Sequence, residues 1–534
     1  MDGFAWLSAL WLTPLVGAAL VGCLPSRRRD AVRWVALGAA LVVLAVAVVV
    51  AVRFDPGGDR FQFVESHAWI PSFGTRYELG VDGIALVLVL LTAVLVPVLL
   101  LAGWRDGTGG SGNAEAVARS RRPVHTHVGL VLIVESMVLM SFLSLDILLF
   151  YIFFEAMLIP MYFLIGGFGD ARGPRAAVKF LLYNLFGGLI MLAAVIGLYA
   201  VTAGGSSPFA SGTFDFRAIA DAVSAGTLTI DAPVANALFL GFLFAFAVKA
   251  PLWPLHTWLP DAAVHSTPST AVLMMAVVDK VGTFGMLRYC VQLFPESTRT
   301  FAPVIVTLAV IGIVYGALVA IGQADIMRLI AYTSISHFGF IVLGVFALTS
   351  QSQGGAALYM VNHGLSTAAL MLIAGFLIAR RGSRAIGDYG GVQSSAPILA
   401  GTFLVAGLAT LSLPGLAPFI SEFLVLVGTF TRYPAVAVVA TSALVLSAVY
   451  ILWLYQRVMT GQAGADHDRV RDLVPREIAV VAPLVVLLLV LGFYPRPALD
   501  AITPAVADTL TAVHQEDPAP TVPVTEAEQG GGPR

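Results

Sequence analysis

In 534 residues this chain uses lysine at only three positions, 179, 249 and 280, although Lys and Arg together number 30. Two of the three, Lys249 in LFAFAVKAPLWPLHTWLPDA and Lys280 in VVDKVGTFGMLRY, stand inside apolar runs. A guanidinium keeps its proton at any physiological pH, whereas a desolvated ammonium can give its proton up. A static salt bridge between helices would be served as well or better by arginine. A group that must alternate between charged and neutral needs lysine, so Lys249 and Lys280 read as proton-exchanging groups.

Glu155, in LLFYIFFEAMLIPMYFL, has no basic residue in its own apolar run. An unpaired carboxylate there costs several kcal/mol or takes up a proton, so it must face a partner or water within the fold. Glu422, in LSLPGLAPFISEFLVLVG, poses the same problem. A lone histidine in an apolar helix is more often a satisfied hydrogen-bonder than a relay. His337 in AYTSISHFGFIVLG and His363 in LYMVNHGLSTAALML, however, both fall between Lys280 and Glu422 in chain order. With His256, just past a proline break, they are candidates for a proton path, as are Asp146 and Glu135. Asp146 precedes Glu155 by nine residues, about two and a half helical turns, which sends the two to opposite faces at different depths. Asp261 reads as a cap of a helix end or loop, and Asp279 as a neighbour that softens the desolvation of Lys280.

The elements that hold these residues must lie in lipid. The chain is 58% hydrophobic and 12% charged, about half the charge of an ordinary soluble domain. Apolar stretches of about 20 residues, the length that crosses a hydrocarbon core, recur to about residue 496. The fold class is therefore all-α and integral to the membrane, with about fourteen spanning helices. They are expected near 5–25, 31–53, 82–103, 127–144, 146–168, 177–202, 234–256, 269–294, 301–322, 326–349, 355–379, 397–430, 433–459 and 476–496. The basic cluster Arg27, Arg28, Arg29 follows the first apolar run instead of preceding it, so that run is a membrane helix and not a signal peptide. The Pro-, Glu- and Gly-rich tail, 497–534, is expected to be disordered.

Cys23 and Cys290 form no cluster-ligand pattern, so this chain is expected to hold no cofactor and no metal. A net charge of −2 gives no reason to expect a nucleic-acid partner. Phosphate-cradling glycine loops and nucleophile elbows are absent from the sequence, which makes bond chemistry in this chain unlikely to be its task.

Prolines interrupt two of the apolar runs: the seventh at Pro251 and Pro254, and the twelfth at Pro414, Gly415 and Pro418. Each break has an acid or a base beside it, and five helices separate the two. Broken helices at matching positions mark repeats built around midplane sites. Helices 4–8 (127–294) and 9–13 (295–459) are therefore expected to be two inverted repeats, after an N-terminal unit, 1–126, and before a last span within 460–496.

Taken together, YIFFEAMLIPMYFLIG, AVKAPLWPLHTWLPDA, VVDKVGTFGMLRY, ADIMRLIAYTSISHFGF, NHGLSTAALMLIAGF and LSLPGLAPFISEFLVLVG resemble the antiporter-like membrane subunits of respiratory complex I over roughly residues 80–495. Those subunits are similar in turn to subunits of multi-subunit Na⁺/H⁺ antiporters and membrane-bound hydrogenases. Glutamate at the second break, Glu422, resembles the M type, where the L and N types have lysine. The resemblance implies that Glu155 and Lys249 form a proton-controlling pair, that Lys280 connects through the histidines, and that Glu422 ends the route. It also implies L-type and N-type neighbours and lipids as partners, with FMN and iron-sulfur clusters in partner subunits. Two positions depart from the family: Ala263 follows Pro-Asp-Ala where His is common, with His265 two positions later, and Asp279 stands where an apolar residue is expected. Energetically the pair is well scaled, because two unit charges at an effective dielectric of about 20 attract by about 4 kcal/mol at 4 Å and about 2.4 at 7 Å. Moving one charge against about 100 mV costs about 2.3 kcal/mol, so a small change in pairing is of the size needed.

Basic residues fall mainly on alternate connections: Arg27, Arg28, Arg29, Arg33; Arg105, Arg119, Arg121, Arg122; Arg172, Arg175, Lys179; Arg328; Arg380, Arg381, Arg384; and Arg457, Arg469, Arg471, Arg476. The positive-inside rule puts those loops in the cytoplasm and both termini on the outer side. Single cysteines labelled from outside intact cells should therefore react in 203–233 and after residue 500, and not between Arg380 and Arg384. The reverse pattern would refute the orientation.

Overall fold

The computed structural model describes residues 4–25, 27–105, 124–205, 207–462 and 470–518. Arg119, Arg121, Arg122 and Arg469 of the basic loops lie outside them. Hydrocarbon offers backbone groups no hydrogen bonds, so an apolar run that enters it must pair its own N–H and C=O groups, and the chain does so as helices. In order these are α1 (Trp6–Cys23) and α2 (Arg29–Arg53), a hairpin of β1 (Gln62–Ile70) and β2 (Thr75–Val81), then α3 (Gly83–Ala102), α4 (Val124–Leu143), α5 (Ile147–Ala156), α6 (Leu158–Phe168) and α7 (Gly173–Thr202). There follow α8 (Phe216–Ser224), α9 (Ala232–Lys249), α10 (Trp258–His265), α11 (Pro268–Val291), α12 (Pro295–Ile321), α13 (Ile326–Phe346) and α14 (Ser350–Arg381). The last are α15 (Pro397–Thr410), α16 (Ala417–Arg432), α17 (Pro434–Met459), α18 (Pro475–Phe493) and α19 (Arg496–Ala512).

Among the described residues thirteen helices, with α5 and α6 taken as one, are long and apolar enough to cross a membrane. They coincide with the expected spans except the twelfth, which is divided into α15 and α16 on either side of the Pro414–Gly415 break. The seventh span ends at Lys249, earlier than expected, because Pro251 has no N–H to continue the ladder. The fifth is interrupted at Met157, between α5 and α6.

Burial sorts the helices. α11 is enclosed along its whole length and α13 and α14 nearly so, whereas α1, α2, α17 and α18 turn most of their surface outward. α7 shows an apolar stripe of Leu182, Phe186, Leu189 and Ile196, all exposed, at spacings that share one helix face. Such a stripe fits lipid. The enclosed helices α11, α13 and α14 are the ones that hold Lys280, His337 and His363.

Three elements were not expected from the sequence. The antiparallel hairpin pairs Glu65 with Leu79 and His67 with Tyr77, and Glu65 accepts from the backbone N–H groups of Leu7 and Ser8 at 2.8 and 3.1 Å. A carboxylate thus caps the first turn of α1, where the helix dipole favours negative charge. The amphipathic α8 is capped by Asp215, which accepts from Arg217 and Ala218. The third corrects the disordered tail: residues 497–512 are helical in α19, which buries Ile502, Ala505, Val506 and Leu510. Their i, i+3, i+4 and i+8 spacing is an apolar stripe that a low local hydropathy concealed.

The hairpin end of α11 is pinned by a buried ion pair. Asp82 caps α3 by accepting from Ala85 N at 2.8 Å and takes Arg288 Nη2 at 2.7 Å, both side chains being almost wholly enclosed. Phe284 lies beneath the guanidinium at 4.4 Å, and Gln292 links Arg60 to Thr509 of α19 at 2.6 and 3.1 Å. Removing one partner of such a pair leaves an uncompensated charge. Arg288→Met should therefore cost about 3–5 kcal/mol, and adding Asp82→Asn, which keeps the cap, should recover most of it. Thermal unfolding in detergent checks this, and a double variant no better than the single one would refute the pairing as the source.

Candidate functional site

Lys249 is the last residue of α9, where a cation meets the carbonyl end of the helix dipole. Its Nζ donates to the Phe154 carbonyl at 2.9 Å and stands 3.7 Å from the centre of the Phe154 ring. Glu155 is the next residue of α5 after that carbonyl. The expected Glu155–Lys249 pair is therefore adjacent but not closed: their charges act on each other, yet Glu155 Oε1 has no hydrogen-bond partner among the described residues. The carboxylate is seated in a notch on α7. A Cβ built on Gly188 would stand 1.6 Å from Glu155 Oε1, so only glycine leaves it room.

A second group lies among the enclosed helices. Lys280 Nζ is 2.6 Å from His363 Nδ1 and 4.0 Å from the centre of the Phe338 ring. With the ammonium donating to Nδ1, the other ring nitrogen bears a proton, and Nε2 lies 2.9 Å from Ser334 Oγ and 3.2 Å from Thr367 Oγ1. The His363 and His337 rings are 5.5 Å apart, and the His337 and Tyr359 rings 5.9 Å. These are distances between ring centres, and both rings are neighbours of His337. Tyr359 donates to Glu422 Oε2 at 3.1 Å, and Ser412 also donates to that oxygen. The result is a row of exchangeable groups, Lys280, His363, His337, Tyr359 and Glu422, running from α11 through α14 and α13 to α16.

The α15–α16 break serves this row. Ser412 lies in the α15–α16 break with φ +61°, a left-handed conformation unusual for a residue with a Cβ, and its hydroxyl reaches Glu422 from there. Asn362 of α14 donates to the Ala417 carbonyl at 2.7 Å and to Ser421 at 3.2 Å, tying the start of α16 to the histidine-bearing helix.

Other candidates lie apart from the row. Asp146 caps α5, accepting from Leu149 N and from Arg76 N, each at 2.9 Å. Glu135 is enclosed in α4 with neither oxygen hydrogen-bonded among the described residues. His256 lies in the loop between α9 and α10, with its ring 5.0 Å from that of Tyr315. Asp261, expected as a cap, instead binds Lys179 at 2.8 Å and Arg328 at 2.9 Å. Burial would raise its carboxyl, but the bond from Lys179 and the two positive charges hold it below the usual range. His265 pairs with Asp170 at 2.9 Å, which Arg384 also contacts at 3.2 Å. These bridges join α7, α10, α13 and the loop after α14 at the end of the bundle where the basic loops gather. Among the described residues no cluster of His, Cys, Asp or Glu is arranged to hold a metal ion.

Sequence reading missed Tyr359, Ser334 and Ser412. Tyr359 is four residues before His363 on one helix, so helical spacing alone would have put them on one face. Nothing local marks Ser412, whose part follows from the path of the break.

A family model described as NADH:quinone oxidoreductase/Mrp antiporter, TM, matches residues 144–447. NADH-quinone oxidoreductase subunit M of Mycobacterium tuberculosis (strain H37Rv) is 64% identical over 539 aligned residues, which cover 98% of this chain and 97% of that protein. The chain belongs to the NADH-quinone oxidoreductase subunit M family. Subunit M of Rhodobacter capsulatus is 38% identical, over 96% of this chain and 97% of that one. Among solved structures, respiratory complex I from Thermus thermophilus with bound NADH contains a chain that superposes with a TM-score of 0.81 at 31% identity, over 95% of this chain and 99% of that one. The Mrp complex from Dietzia sp. DQ12-45-1b contains another with a TM-score of 0.81 at 21% identity, over 96% and 99%, and shares the fold. As a subunit M, the chain is an antiporter-like, multi-pass part of the membrane arm of an oxidoreductase, in agreement with the glutamate at its second break.

The Gly188 notch provides a direct test of the Glu155 placement. Gly188→Ala should displace the carboxylate and depress turnover-linked proton uptake by reconstituted complex. Gly401→Ala, whose Cβ would meet nothing within 4 Å, should leave uptake unchanged. Equal behaviour of the two variants would refute the placement.

Proposed function

We propose that this chain moves protons across the bacterial inner (plasma) membrane as part of NADH:quinone oxidoreductase, with Glu155, Lys249, Lys280 and Glu422 as the exchanging groups. The observation behind this reading is the row from Lys280 to Glu422, laid through the most enclosed helices of a bundle otherwise filled with apolar side chains. Each member can both accept and give a proton, which a purely structural set of ion pairs does not require. Among the described residues neither lysine is spent in a salt bridge: Lys249 donates to a carbonyl and Lys280 to an imidazole.

In this reading a change of charge at Glu155 alters the cost of keeping Lys249 protonated, and Lys280 hands its proton through His363, His337 and Tyr359 to Glu422. His256, Asp146 and Glu135 belong to supporting access routes. Redox chemistry belongs to partner subunits, where FMN and iron-sulfur clusters are expected, and the neighbours in the membrane are L-type and N-type subunits and lipid. A freestanding Na⁺/H⁺ antiporter or a membrane-bound hydrogenase subunit is the rival reading. Identity of 64% to a subunit M against 21% to the Mrp chain favours the oxidoreductase.

Lys249→Arg is the deciding variant, because it keeps the charge and the bond to Phe154 within reach while removing the ability to deprotonate. Proton uptake by reconstituted complex, measured beside quinone reduction and a check of assembly, should fall about tenfold or more. Wild-type pumping by the assembled arginine variant would overturn the role given to Lys249. Lys249→Ala cannot decide the matter, since it also removes the charge that faces Glu155.

A further inference from the structure

Asp279 belongs to neither group described above, yet it lies between them. It is fully enclosed, and neither carboxylate oxygen has a hydrogen-bond partner among the described residues. Consecutive side chains on a helix diverge by about 100°, so Asp279 and Lys280 leave α11 in different directions. Lys280 reaches His363 of α14 and the Phe338 ring of α13. Asp279 shares its face with Gly282, three residues on. Gly282 is pressed against the end of α9, where an added Cβ would stand 2.9 Å from both the Phe246 carbonyl and the Ala250 nitrogen. Lys249 is the residue just before Ala250, so the face that bears Asp279 is turned toward it.

Asp279 therefore feels the charges of Lys280 and Lys249, and Lys249 feels both Glu155 and Asp279. A carboxylate placed only to offset two buried cations would be expected to bond at least one of them. Here both ammonium groups bond elsewhere, to the Phe154 carbonyl and to His363, and the carboxylate is left open. A carboxylate left open in an apolar interior is costly as a charge and readily takes up a proton. The backbone around it is also irregular: the six residues Leu273–Val278 form a π turn, and Asp279 N closes it by donating to the Met274 carbonyl at 2.9 Å. Single π turns in α-helices gather at functional positions.

We infer that Asp279 carries protons between Lys249 and Lys280, joining the Glu155 end of the site to the Lys280–Glu422 row; this rests on reading the two lysines as proton-exchanging groups. In the forward step the Lys249 ammonium gives its proton to the Asp279 carboxylate, leaving a neutral amine and a neutral acid. The acid then gives that proton to a neutral Lys280 amine, which restores the carboxylate and forms the second ammonium. The flexible lysine stems supply the movement, and no other co-reactant is needed.

The test compares Asp279→Asn, Asp279→Glu and Lys249→Arg in the assembled complex, reading protons taken up per quinone reduced across the working pH range. A carrier predicts that Asp279→Asn lowers the ratio about tenfold or more at every pH and that Asp279→Glu restores it. A purely electrostatic role predicts something different: without the negative charge both lysines lose their protons at lower pH, so the profile shifts to lower pH but reaches the wild-type ratio at its new optimum. That outcome overturns the inference. If Lys249→Arg fails to pump while Asp279→Asn pumps normally, the inference alone falls. If both pump normally, the reading of the lysines falls with it. Should the asparagine variant fail to assemble, Asp279→Ser takes its place with the same outcomes. Failure of both to assemble makes Asp279 a structural residue and likewise overturns the inference.

Discussion

Hydrocarbon does not solvate charge, and every polar feature of this protein is arranged around that constraint. The backbone meets it by forming helices. The side chains meet it in two distinct ways. At the two ends of the bundle, charges are closed into pairs: Asp82 with Arg288 near the hairpin, and Asp261, Asp170 and their cations near the basic loops. Between those ends the ionisable groups are left open, with Lys249 and Lys280 bonded to neutral acceptors and Glu422 to two hydroxyls. Closed pairs hold helices in register, and open groups retain the freedom to change charge. The same chemistry thus gives closed pairs at the rims and open ionisable groups at the centre.

Arginine and lysine are divided along the same line. Arg288, always charged, sits in the closed pair at the hairpin end, and Arg328 and Arg384 sit in the bridges at the other. Lysine occupies the two enclosed positions without a carboxylate bond. The third lysine, Lys179, is half exposed and bound to Asp261, so it belongs with the arginines in role. Residue choice therefore follows whether the buried cation is closed against a carboxylate or bonded to a neutral acceptor.

Much of this was legible in the sequence. Apolar length located the spans, prolines located both breaks, and the scarcity of lysine singled out Lys249 and Lys280 before any coordinates. Interactions that cross between helices were not legible. The Glu155–Lys249 contact turned out to be an ammonium on the preceding carbonyl, because where α9 stops relative to α5 depends on packing at Gly188 and Gly282. Tyr359 was hidden by its ordinary appearance as an aromatic residue in an apolar helix. The hairpin was hidden because it is flanked by the far stronger helical signal, and α19 because its apolar stripe is narrow and made mostly of small residues. Ser412 acquires its role only from a left-handed turn that no neighbouring residue announces.

Phe154 and Phe338 each lay a ring face beneath one of the two enclosed ammonium groups, at 3.7 and 4.0 Å. A ring face attracts a cation through its quadrupole, but it has no proton to give and no basic atom to receive one. It therefore acts as a solvent blind to protons: it steadies the ammonium while the charge is present and does not compete for the proton when it leaves. A carboxylate in the same place would hold the cation more tightly and would itself become the proton's destination. The two phenylalanines thus keep the lysines soluble in their charged form without adding a proton-binding atom beside them.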